Sequence, residues 1–372
     1  MPTTNDNRHK IQPKPTTMIE PPINQNLSQA TQPQTIAQEV HPLPCVAVLG
    51  GGSWATALVK ILLETRRVRI RWWLRDQNQI DYIKTHHRNP KYLSQLQLDL
   101  KRIKIGSKLQ KYVSKADFVV VAIPSAFVQD ALKELTPHDF ENKIVVSAIK
   151  GIIPEKNLVI NDFFAQEFGV EPHNFCVIAG PCHAEEVAQE KLSYLTIGSE
   201  DMAAAQKVAD LLACRFIKTR ALHDAVGVEY CAVLKNIYAL AGGIAHGVGY
   251  GDNFHAVLIS NAIQEAERFL NAINIKDREV MSSAYLGDLL VTAYSQYSRN
   301  RTFGSMIGRG YSVKFAQLEM NMIAEGYYAT KSICEINKKY QVDMPIVDSV
   351  YRILYDKAQP QLELLALSEK LS

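Results

Sequence analysis

Short, nearly continuous apolar runs alternate with longer stretches of mixed polarity over the first two thirds of the chain. Cys45-Val46-Ala47-Val48-Leu49 leads into three glycines and then a helix-compatible stretch, Ser53–Glu64. Further β-rich runs follow at Arg69–Leu74, Phe118–Pro124, Ile144–Ala148, Phe175–Ala179 and Tyr194–Ile197, several separated by helix-compatible segments such as Ala126–Leu135 and Leu158–Phe168. A strand that is apolar at every position has to be covered on both faces, as in a parallel sheet with helices above and below. The alternation therefore predicts a doubly wound α/β domain over residues 45–224. After about Asp224 the pattern changes: Tyr230, Leu234, Ile237, Ala241 and Ile244 recur at spacings of three and four, one face of a helix. Val257–Leu270 and Met344–Leu354 continue it. An all-helical C-terminal domain is expected over residues 225–360, with a short C-terminal tail at 361–372 and no fixed-period repeat.

The first 44 residues are rich in Pro, Gln, Asn and Thr and lack the basic-then-apolar order of a secretory signal, so a disordered N-terminal tail is expected. At 372 residues, 47% hydrophobic and 21% charged, the chain has material for roughly two domains. No uncharged apolar run reaches the ~18 residues of a spanning helix, so no membrane insertion is expected. A net charge of +3 is too mild to argue for nucleic acid but suits a small anionic substrate. The six cysteines are scattered, which points to a reducing, cytoplasmic compartment. Cys182-His183 has no second ligand cluster at metal spacing, and no metal site is expected.

Gly50-x-Gly52-x-x-Ala55 stands between the first apolar run and the first helix, where a dinucleotide fingerprint belongs. The first glycine permits the tight turn, the second lets backbone approach a pyrophosphate, and a small third residue allows close helix packing. The helix start at Ser53-Trp54 offers free N–H groups and a positive dipole end to the phosphates. The α/β domain is thus expected to be of the Rossmann type. At the end of the second run, Arg75 favours a 2′-phosphate and the adjacent Asp76 a free ribose hydroxyl, so the cofactor is read as NAD(P)H.

Four further stretches carry chemistry. They are Ala148-Ile149-Lys150-Gly151, Gly180-Pro181-Cys182-His183-Ala184-Glu185-Glu186-Val187, Val228 through Leu234-Lys235-Asn236, and Leu286-Gly287-Asp288 running on to Ser298-Arg299-Asn300-Arg301. Together with Gly-Gly-Gly-Ser-Trp-Ala-Thr-Ala-Leu at 50–58, this ordered set closely resembles the NAD(P)-dependent glycerol-3-phosphate dehydrogenases, from about Val46 to Leu354. The resemblance implies a Rossmann domain followed by a helical domain, and a homodimer. It also implies reversible reduction of dihydroxyacetone phosphate to sn-glycerol 3-phosphate, a product that feeds glycerophospholipid synthesis.

Carried over residue by residue, the resemblance makes Lys235 the acid/base. Lys150 would touch both cofactor and substrate, and Asp288 would orient Lys235, with Thr292 one helical turn beyond. Gly180, Cys182, Ser298, Arg299 and Asn300 would line the substrate, while Ala184, Arg299, Ile323 and Glu325 would join Gly50, Gly52, Ser53, Trp54 and Arg75 around the cofactor. The chemistry is coherent: ketone reduction needs a proton for the developing alkoxide, and a lysine beside a second cation supplies one near neutral pH. Periodicity alone would make Lys235 a helix-flank lysine reaching for water.

Where the family usually has Gly-Pro-Ser-Phe-Ala, this chain has Gly180-Pro181-Cys182-His183-Ala184, a weak thiol donor in place of a hydroxyl. His246 and His255 are read as structural or exposed, Arg301 as a surface residue, and the basic run from Lys101 to Lys111 as a solvated face. Two competing readings are a related dehydrogenase with another substrate and a non-catalytic dinucleotide-binding redox sensor.

Overall fold

The computed structural model describes residues 43–274, 276–320 and 324–372. Residues 1–42 of the expected N-terminal tail, and Ile323 among the expected cofactor contacts, lie outside the described residues. The first part alternates strand and helix: β1 Cys45–Leu49, α1 Ser53–Thr65, β2 Arg69–Trp73, α2 Gln77–His86, β3 Ile103–Gly106, α3 Leu109–Val113, β4 Phe118–Val121, α4 Ser125–Leu132, β5 Ile144–Ser147, α5 Ile160–Phe168, β6 Phe175–Ala179, α6 Ala184–Ala188, β7 Ser193–Ser199, α7 Met202–Leu212 and β8 Ile217–Leu222. Helices follow: α8 Ala225–Val248, α9 Asp252–Ile273, α10 Asp288–Tyr294, α11 Arg299–Gly308, α12 Val313–Glu319, α13 Glu325–Tyr340, α14 Pro345–Leu354 and α15 Pro360–Ser368.

The eight strands form one sheet in the order β3-β2-β1-β4-β5-β6-β7-β8. The order reverses between β1 and β4, so a crevice opens beyond the carboxyl ends of those two strands, where open α/β sheets bind ligands. Period-2 alternation divides the strand side chains between two cores. Val46, Val48, Val120, Val146 and Ile178 pack with α1 and α7 on one face. Ala47, Leu49, Val119, Val121, Val145 and Val177 face the other way and join a core continuous with α8, α9, α13 and α14.

The doubly wound sheet expected from the chain is present and mostly parallel, with one reversal: β7 pairs antiparallel with β6, and β8 follows β7 in parallel. The connection after β6 contains only the five-residue α6, about 7.5 Å of helix. That is too short to recross the sheet face, so β7 re-enters from the carboxyl edge. The C-terminal tail is not a tail throughout: α15 starts with Pro360 in its first turn and buries Leu364 and Leu367.

Strands β3 and β8 had not been anticipated. β3 hides in the basic run, with Ile103 and Ile105 inward and Lys104 outward, and β8 exposes Lys218 and Arg220. Lysine and arginine on these two edges discourage pairing with other chains. The run's lysines are otherwise exposed, as expected.

α8 is the axis of the helical part and is buried almost without interruption from Ala225 to Ala245. By length and composition it is the one described helix apolar enough to cross a membrane, but 83% of its apolar window is buried inside this protein. It crosses α11 with backbone against backbone. A Cβ at Gly304 would lie 2.2 Å from the Leu240 carbonyl oxygen, and one at Gly243 2.2 Å from that of Arg301. Gly247 and Gly308, one turn further along each helix, are equally closed to any side chain.

Two buried glutamates on the helical core cap neighbouring helices. Glu229 of α8 accepts from the N–H groups of Ile160 (2.9 Å) and Asn161 (3.3 Å) at the start of α5. Glu265 of α9 accepts from Ile346 (2.8 Å) and Val347 (3.2 Å) at the start of α14. These bonds satisfy backbone donors that a helix leaves unpaired. Burial nevertheless dominates and pushes each carboxyl up to about 8. The folded-state value thus exceeds the ordinary one, so the stability each group contributes is whole in acid and is lost as pH rises through about 8. Glu265→Gln keeps the accepting oxygen without the charge. Its melting temperature relative to the parent is expected to rise between pH 5 and pH 9, and a pH-independent difference in thermal melts would contradict this account.

Candidate active site

A cavity of about 450 Å³ opens at the crevice between β1 and β4, walled on its far side by α8, α10 and α11. Its sheet-side wall is Gly52, Ser53 and Trp54 at the start of α1, the β4–α4 turn at Ala122–Pro124, Ala148–Lys150 after β5, and Cys182–Glu185 before and within α6. Lys235, Asn236, Asp288, Thr292, Ser298, Arg299, Asn300 and Glu325 complete it from the helical side. A second cavity of about 780 Å³ shares Ser53, Tyr92, Glu185 and Tyr297 with the first and continues the cleft along residues 91–96.

The glycine turn has the form an anionic ligand needs. Gly50 holds φ +130°, and a Cβ there would meet the Ala122 carbonyl oxygen at 2.3 Å, so only glycine fits. At Gly52 a Cβ would meet nothing within 4 Å. No side chain caps α1 and no acidic residue lies in its first turn, leaving its positive end to a ligand. The Trp54 indole N–H is buried without a partner among the described residues. These features fit a dinucleotide pyrophosphate lying over Gly52–Trp54.

At the other end of the cavity three charges meet. Lys235, at the end of the third turn of α8, is buried and ion-paired with Asp288 Oδ1. Lys150 Nζ lies 3.7 Å from Asp288 Oδ2 and 5.8 Å from the centre of the Trp54 ring. Asp288 follows one turn of π-helix, Ser283–Gly287, and takes a further bond from the Gly180 N–H at 3.2 Å. Such widened turns recur at functional sites because they re-aim the next residue. Thr292 Oγ1 donates to the Asp288 carbonyl at 2.6 Å, which holds it one turn away on the cavity wall.

Burial lowers the Lys235 ammonium towards neutrality; the Asp288 charge opposes the shift and the Lys150 charge adds to it. Burial also works against ionisation of Asp288, but the Lys150 and Lys235 charges and the Gly180 bond outweigh it and hold the carboxyl low. The site therefore holds a carboxylate between two lysines, one of them poised to exchange a proton.

An amide chain fixes the surrounding elements. Asn300 Nδ2 donates to Asn236 Oδ1 at 2.9 Å, Asn236 Nδ2 donates to the Lys150 carbonyl at 2.6 Å, and the Gly326 N–H donates to Asn300 Oδ1 at 2.9 Å. Glu325 is half-buried and its carboxylate accepts from the Ser125 N–H at 3.0 Å, capping α4. Burial raises its carboxyl although the Ser125 bonds oppose this.

Of the residues singled out from sequence, Gly52, Ser53, Trp54, Lys150, Cys182, Ala184, Lys235, Asp288, Thr292, Ser298, Arg299, Asn300 and Glu325 all line the cavity. Gly50 and Gly180 lie behind it, Gly50 in the turn and Gly180 with its N–H directed to Asp288. The Ser298 hydroxyl accepts from the Arg301 N–H at 3.3 Å and so caps α11. Arg75 is outside the cavity, largely exposed, over the Phe127 ring and 3.7 Å from Asp130.

Sequence reasoning missed His183, Phe127, Tyr92 and Tyr297 as wall residues, and Asn236 as the link to Lys150. Asn236 had a signal in its place beside Lys235. The aromatic walls had none, because segments far apart in the chain bring them together. Burial, then the two lysine charges, push His183 down to about 4, so its imidazole is neutral. Among the described residues no cluster of three or more His, Cys, Asp or Glu could hold a metal.

Comparison with known proteins agrees with this geometry. A family model for the N-terminus of NAD-dependent glycerol-3-phosphate dehydrogenase matches residues 45–205, and one for the C-terminus matches residues 224–364. A glycerol-3-phosphate dehydrogenase (NAD(P)+) of Clostridium botulinum (strain Eklund 17B / Type B) is 36% identical over 88% of this chain and 98% of its own. One from Macrococcus caseolyticus is 33% identical over 84% and 93%. The crystal structure of glycerol-3-phosphate dehydrogenase from Coxiella burnetii superposes with a TM-score of 0.82 at 28% identity, covering 88% of this chain and 99% of that one.

Burial pushes the Cys182 thiol up to about 12. The nucleophilic thiolate is therefore scarce at neutral pH, which counts against a redox-sensing role for this position. Iodoacetamide at pH 7.5 is expected to leave Cys182 unmodified in peptide mass maps of the folded protein. Rapid labelling there would show that the thiol is neither buried nor suppressed.

Proposed function

This chain belongs to the NAD-dependent glycerol-3-phosphate dehydrogenase family, and from that premise we propose that Lys235 is the acid/base of a reversible reduction of dihydroxyacetone phosphate to sn-glycerol 3-phosphate. The observation that carries the assignment is the Lys235–Asp288–Lys150 cluster at the end of a cavity that begins at the glycine turn. When bound, NAD(P)H supplies the hydride; the side chains handle charge and the proton.

With both lysines protonated the cluster carries net positive charge, which attracts the substrate's anion and stabilises negative charge developing on the carbonyl oxygen. Lys235 gives its proton to that oxygen during reduction and takes it back during oxidation. Asp288 keeps the Nζ aimed into the cavity, and the two flanking cations keep it ionised in spite of its burial. Arg299, at the exposed start of α11, offers a planar guanidinium to the phosphate beside the Asn300 amide.

The cofactor we infer is NADPH. Asp76 Oδ1 caps α2 by accepting from Asn78 (2.9 Å) and Gln79 (3.3 Å), and Oδ2 pairs with Lys91 at 3.0 Å, so the carboxylate is already engaged. Arg75, beside it just past the carboxyl end of β2, is exposed and is the residue suited to a 2′-phosphate. We also infer a homodimer, supported by the exposed apolar side chains of Tyr311, Phe315 and Leu318 around α12, and a cytoplasmic enzyme, supported by six unpaired cysteines. Its product would supply glycerophospholipid synthesis.

Purified protein is expected to oxidise NADPH with dihydroxyacetone phosphate and not with unphosphorylated dihydroxyacetone. Arg75→Ala should raise the KM for NADPH several-fold while leaving that for NADH nearly unchanged; equal effects on both would remove Arg75 from cofactor choice. Lys235→Ala is expected to retain cofactor binding and to lose at least about a hundredfold in kcat, the low end of general acid–base contributions. Because the lysine pKa is depressed, the protonated form disappears as pH rises past neutrality. The reduction rate should then fall and the oxidation rate rise. Parent-like turnover in the alanine variant would refute the assignment.

A further inference from the structure

Three successive carbonyls of the glycine turn are held from within the protein. That of Gly50 accepts from the Trp72 indole N–H at 2.7 Å. That of Gly51 accepts twice, from Gln79 Nε2 at 2.9 Å and from Asn89 Nδ2 at 3.0 Å. That of Gly52 accepts from the N–H of Thr56 at 3.0 Å and from its Oγ1 at 2.9 Å. Asn89 ties the set together. Its Nδ2 also reaches Thr56 Oγ1 at 2.9 Å, and its Oδ1 accepts from Gln79 Nε2 at 3.0 Å and from the Lys91 N–H at 3.1 Å. Trp72, Gln79, Asn89 and Thr56 are all buried.

A trans peptide directs its N–H opposite to its C=O. Pinning the carbonyls of residues 50, 51 and 52 inward therefore turns the N–H groups of Gly51, Gly52 and Ser53 outward, and Gly52 and Ser53 line the cavity. Gln79 also explains the middle glycine, since a Cβ at residue 51 would lie 2.9 Å from its Oε1 and 3.0 Å from Leu74 Cδ2. Donors fixed before the ligand arrives need no reordering on binding, which is where preorganisation adds affinity.

We propose that Trp72, Gln79, Asn89 and Thr56 are positioning residues that aim consecutive backbone N–H groups of the turn at the pyrophosphate of the cofactor. The assignment rests on the dinucleotide reading above. None of the four side chains has to touch the cofactor; each acts through the peptide plane whose carbonyl it holds, and Asn89 also links Gln79 to Thr56.

The test is fluorescence titration of the full-length protein with NADPH, alongside thermal melts of the cofactor-free protein and steady-state kinetics. Gln79→Met and Thr56→Val remove the donors at similar volume, and Thr56→Ser keeps the hydroxyl. Gln79→Met and Thr56→Val are each expected to weaken the NADPH Kd about tenfold, the loss of one charge-assisted hydrogen bond. The loss should be carried by the KM for NADPH more than by kcat, and Thr56→Ser should restore a near-parental Kd.

A Kd within about twofold of the parent in both Gln79→Met and Thr56→Val, whatever their melting temperatures, would overturn the positioning role. So would a Thr56→Ser variant as weak as Thr56→Val, because packing and not the hydroxyl would then be responsible. Failure of the parent protein to bind NADPH or NADH would overturn the dinucleotide reading itself, and the positioning role with it.

Discussion

The side-chain arrangement at the cavity depends on how closely α8 and α11 approach. Glycine faces backbone at Gly243, Gly247, Gly304 and Gly308, so the two helix axes come nearer than any pair of side chains would permit. This contact sets Lys235 and Asn236 of α8 against the start of α11, where Arg299 and Asn300 stand. The Asn300–Asn236–Lys150 amide chain closes only because the helices are this near, and it ties the loop after β5 to the same frame. Lys235 is itself buried, and that exclusion of water is what brings the lysine towards neutrality.

Several ionisable groups are buried in this apolar core, and each has partners for its charge. Glu229 and Glu265 spend their oxygens on helix starts. Asp224 accepts from Arg278 Nε at 2.6 Å, from the Tyr285 hydroxyl at 2.6 Å and from the Gly227 N–H at 3.0 Å. That last network is structural in form but reaches the chemistry, because Tyr285 sits in the π-turn that ends at Gly287 and leads directly into Asp288. An unpaired charge at any of these places would be costly, so the networks also restrict how the helices can be arranged.

Much of this was legible in the chain. Continuous Val and Ile runs announced the inner strands, and the Gly50–Ala55 fingerprint announced the crevice, because both depend on short-range chemistry. β3 and β8 escaped notice since their apolar positions are interleaved with lysine and arginine, which reads as a solvated face until the strands are placed at sheet edges. The reversal of β7 depends on the length of α6 rather than on any residue preference. Lys235 was ambiguous by periodicity and became specific only through its resemblance to a family and its pairing with Asp288. Glu325 faces α4 for a reason the sequence could not state: its partner Ser125 is 200 residues away.

That distance bears on the order in which the molecule matures. The glycine turn and the residues that pin its carbonyls all lie between Gly50 and Asn89, near the start of the chain. The bond from Gly180 to Asp288 spans 108 residues, and that from Ser125 to Glu325 spans 200. Chains fold from the N-terminus as they leave the ribosome. The residues that pin the cradle for the nucleotide are therefore made before α10, without which the proton-transfer cluster cannot close. The order of synthesis thus places the residues that shape the nucleotide turn ahead of those that complete the charged cluster.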